Sequence, residues 1–448
     1  MTSQQSNSHA VAVIGAGPAG LYAAKQLAAA GHQVALINRD IKPGGLAEYG
    51  IYHDKHNMKN GLRKQFRKLL DAPEIHYFGN LTVSNQGDLT LKDIQALGFS
   101  AVIVTVGAQG TKWLGMPGEE LSGVYHAKDL VYHYNQLPPY SQQEFAIGKR
   151  VACIGVGNVM LDIAHWTIKD LKVDEVTAVA RRGPADVKFT KKEMSLVAKN
   201  LDLDALNTEI ERTRPIMEAV NQSPEEAKAF ILAGLEKAEE KTSETRFLFD
   251  FLASPKQILG KDGKVTGLEV EETTLELRNG GDTKAVNLGT TRVIDVDTVV
   301  FCIGDRVDAD FGLPLDKWKE FAKHPAPKFP VNDLSFEAYD PEKGEGVEGV
   351  FLAGWAREAS SGLVGSARKD GESGAKAAIE YTNTLPAPAN PADTLAKLEA
   401  RLENSSRRII RKADWVKLEA VEAKLAEERG LPIFKFDSNE EMLEAIGG

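Results

Sequence analysis

One short pattern, written twice, limits what this chain can fold into more than any other feature: an apolar strand that runs into a glycine-rich turn and directly on into a helix. Its first copy is the run Val11–Ile14, the turn Gly15-Ala16-Gly17-Pro18-Ala19-Gly20, an Ala-rich helix predicted over Leu21–Ala30 and stopped by Gly31, and a strand over Gln33–Ile37. The second copy opens at Arg150–Ile154, passes Gly155-Val156-Gly157-Asn158, continues as a helical stretch at Val159–Ile168 and reaches a strand at Val176–Ala180. Strand, crossover helix and parallel strand make one βαβ unit, so the fold class is α/β with two Rossmann-like domains. In the first turn Gly15 allows the tight bend, Gly17 lets backbone approach a pyrophosphate, and Gly20 permits close packing of helix on strand. The helix N-terminus attracts the negative charge. Each copy therefore predicts a dinucleotide site.

The chain of 448 residues has room for two or three domains. Its formal charge of −10 argues against a general nucleic-acid binder, so any basic patch has to be found by position. The two cysteines, Cys153 and Cys302, stand far apart inside apolar runs, with no CxxC and no zinc spacing, which fits a reducing compartment. The polar, Arg-free start and the lack of any 18-residue apolar stretch predict a cytoplasmic protein without membrane insertion.

Between the two units, Ala101–Val106 reads as a buried strand ending at Gly107, and Thr298–Ile303 repeats that character before Gly304. Residues 201–242 carry ten carboxylates against five Lys or Arg in a helical pattern and predict a solvated helical insertion. Gly349–Ala353 is another strand, followed by Gly354-Trp355 and a small-residue helix at Gly371–Tyr381. Leu385–Pro391 reads as a Pro/Ala linker. A charged helical tail follows, with a strand-like Pro432–Phe436.

The nucleotides differ between the two sites. A carboxylate that accepts from a ribose hydroxyl is expected about 20 residues after the first glycine, and Asn38 stands there with Asp40 close by. In the second unit Met160 replaces the third glycine, but the second strand ends in Arg181-Arg182. Two guanidinium forks match a 2′-phosphate and favour NADP over NAD, the plain alternative being a surface arginine pair beside a turn.

Taken together these features resemble the adrenodoxin-reductase type of ferredoxin–NADP reductase, including its bacterial members. The resemblance spans nearly the whole chain. It rests on Gly15–Gly20; Gly45-Leu46-Ala47-Glu48-Tyr49-Gly50 with Lys59-Asn60; Pro117-Gly118-Glu119-Glu120-Leu121; Gly157-Asn158-Val159 with Leu161-Asp162; Arg181-Arg182-Gly183-Pro184 with Lys192-Glu193; Gly354-Trp355; and, in the tail, Ala413-Asp414-Trp415 and Phe434-Lys435-Phe436. It implies an FAD-binding domain in two pieces, 1–112 and 299–384, an NADP-binding domain at 113–298, and a linker with helical extension at 385–448. It further implies that Ala19, Leu46, Trp355, Gly362, Leu363 and Val364 line the FAD, and that Gly155, Val156, Gly157, Asn158, Val159, Arg181, Arg182 and Glu193 hold NADP. Asp162 would lie where flavin and nicotinamide meet, although a carboxylate near a helix start is also favoured by the macrodipole. Two departures stand out. Lys55 occupies the family's loop-histidine position with His56 after it, and Ala359-Ser360-Ser361-Gly362 replaces a Gly-Pro-Thr-Gly loop.

The resemblance implies hydride transfer from NADPH to flavin and single-electron release to a ferredoxin-type iron–sulfur protein. Such partners are commonly acidic, and two basic stretches offer them a docking surface. Residues 55–70 hold Lys55, Lys59, Arg63, Lys64, Arg67 and Lys68 with no Asp or Glu, and residues 181–199 hold Arg181, Arg182, Lys188, Lys191, Lys192 and Lys199 against Asp186 and Glu193. Three other readings compete. A flavin monooxygenase lacks its linking fingerprint here. An electron-input subunit like the glutamate synthase small chain would carry a cysteine-rich N-terminal region, and a non-enzymatic redox sensor would show no turnover.

Overall fold

The computed structural model describes residues 8–278, 281–360, 362, 364–403 and 405–447. They form two units: Met1–Gly110 with Tyr132–Gln142 and Asp305–Gly448, and Thr111–Val131 with Gln143–Gly304.

The first unit is built on a sheet in the order Glu337–Asp340, Glu345–Leu352, Ala101–Val104, Ala10–Ile14, Gln33–Ile37, Ile75–Phe78. All neighbours are parallel except the first pair, an antiparallel hairpin. Side chains alternate across a strand, and the strands obey this closely. Val11, Val13, Val34, Leu36, Ala101 and Ile103 enter one core, while Ala12, Ile14, Ala35, Ile37, Val102 and Val104 enter the other. Both faces are covered, which is why these strands read as unbroken apolar runs rather than as alternation. On the first face the helix Pro18–Ala29 packs on the long helix Val364–Thr382. The fit is close, since a Cβ on Gly371 would lie 2.1 Å from the Ala19 carbonyl oxygen.

The segment 385–448, expected as a linker with a helical extension, is part of this unit. Leu395, Leu398 and Leu402 of the helix Ala392–Glu403 join one core, and Trp415, Leu418, Met442 and Ile446 join the other. The tail is held by the same burial that folds the sheet. Pro432–Phe436, expected as a strand, is irregular backbone.

The second unit has an all-parallel sheet in the order Val124–His126, Thr298–Phe301, Arg150–Ile154, Glu175–Val179, Arg246–Asp250. Thr298–Phe301 therefore pairs with the second glycine strand and lies in this unit, whereas the sequence boundary at 299 gave it to the flavin domain. The change from one unit to the other falls after Gly304. The insertion is helical as expected, at Leu203–Ala219 and Pro224–Leu232, capped by the side chains of Asp202 and Ser223. A three-stranded antiparallel sheet, Ala253–Lys261, Lys264–Leu277 and Thr283–Ile294, was not foreseen.

Candidate functional site: two glycine turns

Each glycine turn lies where its sheet reverses strand order. Ala10–Ile14 has Gln33–Ile37 on one side and Ala101–Val104 on the other, and Arg150–Ile154 has Glu175–Val179 and Thr298–Phe301. In open α/β sheets the crevice outside such strand ends is where ligands bind.

The two turns are locked in the same way. Gly15 has φ +108° and Gly155 φ +118°, and a Cβ on either would lie 2.5 Å from a carbonyl oxygen of the next strand, that of Thr105 or of Cys302. Thr105 adds hydrogen bonds from its Oγ1 to the carbonyls of Ile14 and Gly15. Gly20 is closed, because a Cβ there would fall 1.8 Å from the Gly15 oxygen. Gly17 is open: its backbone is extended and a Cβ would meet only Gly45 Cα, at 3.9 Å. Gly157 is more open still, with nothing within 4 Å of its Cβ position. The helices Pro18–Ala29 and Asn158–Trp166 begin at these glycines without a side-chain cap. First-turn N–H groups beside open backbone suit the donor chemistry of a pyrophosphate, so the residues of both turns fit a dinucleotide.

In the first unit the structure gathers several expected residues around this turn. Ala19 touches Gly354, whose φ is +66° and whose Cβ would lie 2.6 Å from the Ala19 Cβ. Trp355 follows, half-buried, in a turn fixed by Asp370, which accepts from the Gly354 N–H at 2.6 Å and pairs with Arg357. Leu46 opens the short helix Leu46–Tyr49 and packs with Tyr49, Tyr132 and Leu137. Asn38 departs from expectation. Its Oδ1 accepts from the Ala16 N–H at 3.1 Å, while its Nδ2 faces the Asp40 and Lys42 carbonyls at 2.8 and 3.0 Å. The amide is used to tie the 38–42 loop to the glycine turn, leaving Arg39 and Asp40 as the accessible polar groups at the strand end.

In the second unit the segment after the arginines folds back on the turn. The Lys188 N–H donates to the Val156 carbonyl at 2.8 Å, and the Thr190 N–H donates to Asn158 Oδ1 at 2.8 Å. Thr190 then caps a short helix whose third residue is Glu193. Val159 is exposed in the first turn of its helix. The backbone of the arginine pair is pinned, with Thr273 Oγ1 donating to the Arg181 carbonyl and the Leu252 N–H to the Arg182 carbonyl. Arg181 is exposed, and Arg182 stands 3.4 Å from Asp186. Asp162 lies beyond the first turn of its helix, so the macrodipole does not account for it. Both cysteines are buried and free, and burial with neighbouring Cys153 and Asp162 pushes the Cys302 thiol well up.

The family described as pyridine nucleotide-disulphide oxidoreductase matches residues 9–211. The mitochondrial NADPH:adrenodoxin oxidoreductase of Arabidopsis thaliana is 27% identical over 97% of this chain and 95% of its own length. The NADPH-ferredoxin reductase FprA of Mycobacterium tuberculosis is 27% identical over 97% of this chain and 98% of its own. The solved structure of that FprA in complex with NADPH superposes with a TM-score of 0.79 at 25% identity, covering 98% of this chain and all of the other. Over nearly its whole length the chain is similar to NADPH:adrenodoxin oxidoreductases and NADPH-ferredoxin reductases.

Of its departures from the adrenodoxin-reductase pattern, the replaced loop is described at Ala359, Ser360 and Gly362. Ser360 has φ +56° and its Oγ accepts from the Asp305 N–H at 2.8 Å. Gly362 has φ +70°, and Ser366 leaves no room for a Cβ. Val364 opens the helix that follows, while Ser361 and Leu363 lie outside the described residues. Lys55 stands just before the helix His56–Leu70 without a side-chain cap, and His56 is its first residue, with Nδ1 buried and no partner among the described residues. Burial pushes the His56 ring below the usual histidine range.

The basic stretch at 55–70 is less free than its sequence suggests. Arg63 binds Glu48 through both Nε and Nη2, at 2.7 and 2.5 Å, and Arg67 is paired with Glu419. Lys59 is 2% exposed, with Nζ 2.5 Å from Asn135 Oδ1. Lys64 and Lys68 are the exposed lysines of this helix.

Burial, then the cations Lys435, Arg63 and Lys42, push Lys59 down to about 6 against the opposing pull of Glu48. In the unfolded chain it would hold its proton to about pH 10.4. Between these values unfolding takes up a proton, so stability rises with pH. Lys59→Met, which gives up the Asn135 contact but removes the buried amine, is expected to stabilise the protein by about 2 kcal/mol at pH 7. The gain should fade toward pH 10.5. Urea midpoints of variant and parent across that range check it, and a gain independent of pH would reject the titration of Lys59 as its source.

Proposed function

We propose that this protein is an FAD-containing, NADPH-dependent oxidoreductase that delivers electrons to a ferredoxin-type iron–sulfur protein. One observation carries the reading: two glycine turns of matched geometry, each at a strand-order reversal, with an arginine pair at the end of the second unit's next strand. A flavin held there would supply two-electron hydride acceptance and one-electron release, the chemistry that joins a nicotinamide donor to a one-electron acceptor. In the first unit, Gly17 and the start of Pro18–Ala29 hold the pyrophosphate, and Leu46, Trp355, Gly362 and Val364 shape the rest of the site. In the second, Gly157, Asn158 and the following helix start hold the nicotinamide dinucleotide, and Arg181 and Arg182 bind its 2′-phosphate. Val156, Val159 and Glu193 line that site. Asp162 and His56 are the titratable groups assigned to orientation and proton handling, His56 offering its lone Nδ1. A dithiol relay is disfavoured by the burial of both cysteines and the raised Cys302 thiol. Free buried thiols fit a cytoplasmic setting.

The test is reduction of two-iron and four-iron ferredoxins by NADPH in the presence of the purified holoprotein, followed at the ferredoxin absorbance. Turnover with a ferredoxin supports the reading. Reduction of quinones alone would remove the iron–sulfur half of it.

If exposed basic residues steer the acceptor, reversing Lys64 and Lys68 to Glu should slow ferredoxin reduction several-fold at low salt and much less at physiological salt, where screening acts beyond ~8 Å. Ferricyanide reduction should hardly change. Arg63 and Arg67 are unsuitable for this test because their carboxylate partners would lose them. An unchanged ferredoxin rate would move the docking surface to Lys188, Lys191 and Lys192, which are exposed in the second unit.

A further inference from the structure

We propose that the C-terminal tail is a working part of the flavin site, with Lys435 as a positioning residue for the first glycine turn and Glu422 in support. The inference rests on the reading that this turn takes the flavin dinucleotide.

Lys435 lies in irregular backbone yet is 6% exposed. Its Nζ stands 2.7 Å from Glu48 Oε1, 3.2 Å from the Glu48 carbonyl and 3.3 Å from the Asn135 carbonyl, with the Tyr49 ring beneath it at 4.8 Å. One tail side chain thus engages both the carboxylate and the backbone of the helix Leu46–Tyr49. Glu422 performs the matching task from the helix Lys412–Glu428. Its Oε2 accepts from Lys42 Nζ at 2.5 Å, and Lys42 stands 3.9 Å from Glu48. Arg63 completes the set from a third direction. Buried charges persist only where they are paired, and removing one partner strands the others.

What these charges hold is the loop 42–48, and that loop is the outer wall of the glycine turn. The Gly44 N–H donates to the Ala16 carbonyl at 2.8 Å. Gly45, at φ +50°, lies so close that a Cβ on it would be 2.9 Å from Gly17 Cα. A Cβ on Gly44 would be 3.0 Å from Glu48 Cβ. From Lys435 the path to the open backbone at Gly17 runs through one carboxylate and one turn. A tail serving stability alone needs only its apolar anchors, Trp415, Leu418, Met442 and Ile446, which already sit in the core.

Lys435→Met keeps an unbranched apolar side chain, one atom shorter than that of lysine, and deletes the charge. The holoprotein variant is expected to release FAD 10- to 100-fold faster than wild type on dilution, read as recovered FAD fluorescence, with a changed visible circular dichroism of the bound flavin. Far-UV dichroism at the same temperature reports the fold. Glu422→Gln removes the nearer of the two carboxylates beside Lys42 but leaves Lys435 on Glu48, so it should raise FAD release about three- to tenfold, and it decides the matter should Lys435→Met not fold. A lowered melting temperature with FAD release and flavin dichroism as in wild type, in whichever of the two variants folds, would reduce the tail to a structural support and overturn the proposal. Wild-type protein that takes up no FAD would overturn the flavin reading itself, and this inference with it.

Discussion

Gly17→Val should give a folded protein without colour. The space in front of Gly17 is empty of protein: a Cβ there meets one atom, Gly45 Cα, at an ordinary 3.9 Å. The backbone is extended, with φ −76° and ψ −178°, which a β-branched residue adopts without strain. Valine therefore costs the apoprotein little. Its methyl groups occupy the volume through which a pyrophosphate reaches the helix N-terminus, so contacts to the first-turn N–H groups are lost together. A fall in FAD affinity of at least ~1000-fold, about 4 kcal/mol, is expected. Gly20→Ala is the instructive contrast, because its Cβ would fall 1.8 Å from the Gly15 oxygen and 2.6 Å from Thr105 Oγ1. That change should damage the fold whether or not flavin is present. Far-UV dichroism with flavin absorbance separates the two. Yellow Gly17→Val protein with normal FAD affinity would mean that the first turn does not bind the pyrophosphate.

The contrast between these glycines also marks how far the sequence could be read. Gly15, Gly17 and Gly20 have roles that follow from local geometry, and local geometry is what a sequence pattern carries. The central strands were legible for the same reason: a run such as Val34 to Ile37, buried on both faces, has to be apolar throughout. Pairing over long distances was not legible. Thr298–Phe301 looks like any strand beside a glycine strand, and nothing in its composition tells that it joins Arg150–Ile154 rather than the first sheet. Arg63 reads as a surface charge four residues from Lys59 and one from Lys64. Only the approach of Glu48 turns it into one arm of a buried cluster. Asn38 held the expected position for a ribose contact, but the Ala16 N–H and the carbonyls of Asp40 and Lys42 claim its amide. Lys435 was visible as part of a tail motif, with nothing local to say that its partner would be Glu48, 387 residues away along the chain. A buried lysine is rare without a partner, so an isolated Lys between two phenylalanines was the one available hint.

The second large effect concerns the choice of nicotinamide. Replacing Arg181 and Arg182 together by Ala should raise the NADPH Michaelis constant by at least ~100-fold, from two lost charge-assisted contacts of about 1.5–3 kcal/mol each. The structure makes this a clean test. The backbone of both residues is held by Thr273 and Leu252 rather than by their own side chains. Asp186, which loses the Arg182 guanidinium, keeps Thr283 Oγ1 at 3.0 Å and Gln222 Nε2 at 3.1 Å, so no buried carboxylate is left without a donor. The variant should therefore fold. NADH has no 2′-phosphate for the arginines to bind, and its Michaelis constant should stay within about twofold of wild type. The turnover number with saturating NADPH should also hold, because the 2′-phosphate is remote from the reacting carbon and its contacts are made equally in ground and transition states. Loss of the same size with NADH and NADPH would instead place the arginines in a contact common to both nucleotides, and a fall in turnover with unchanged Michaelis constants would place them in the chemistry. Only the split between the two nucleotides identifies the end of Glu175–Val179 as the point where the enzyme tells one from the other.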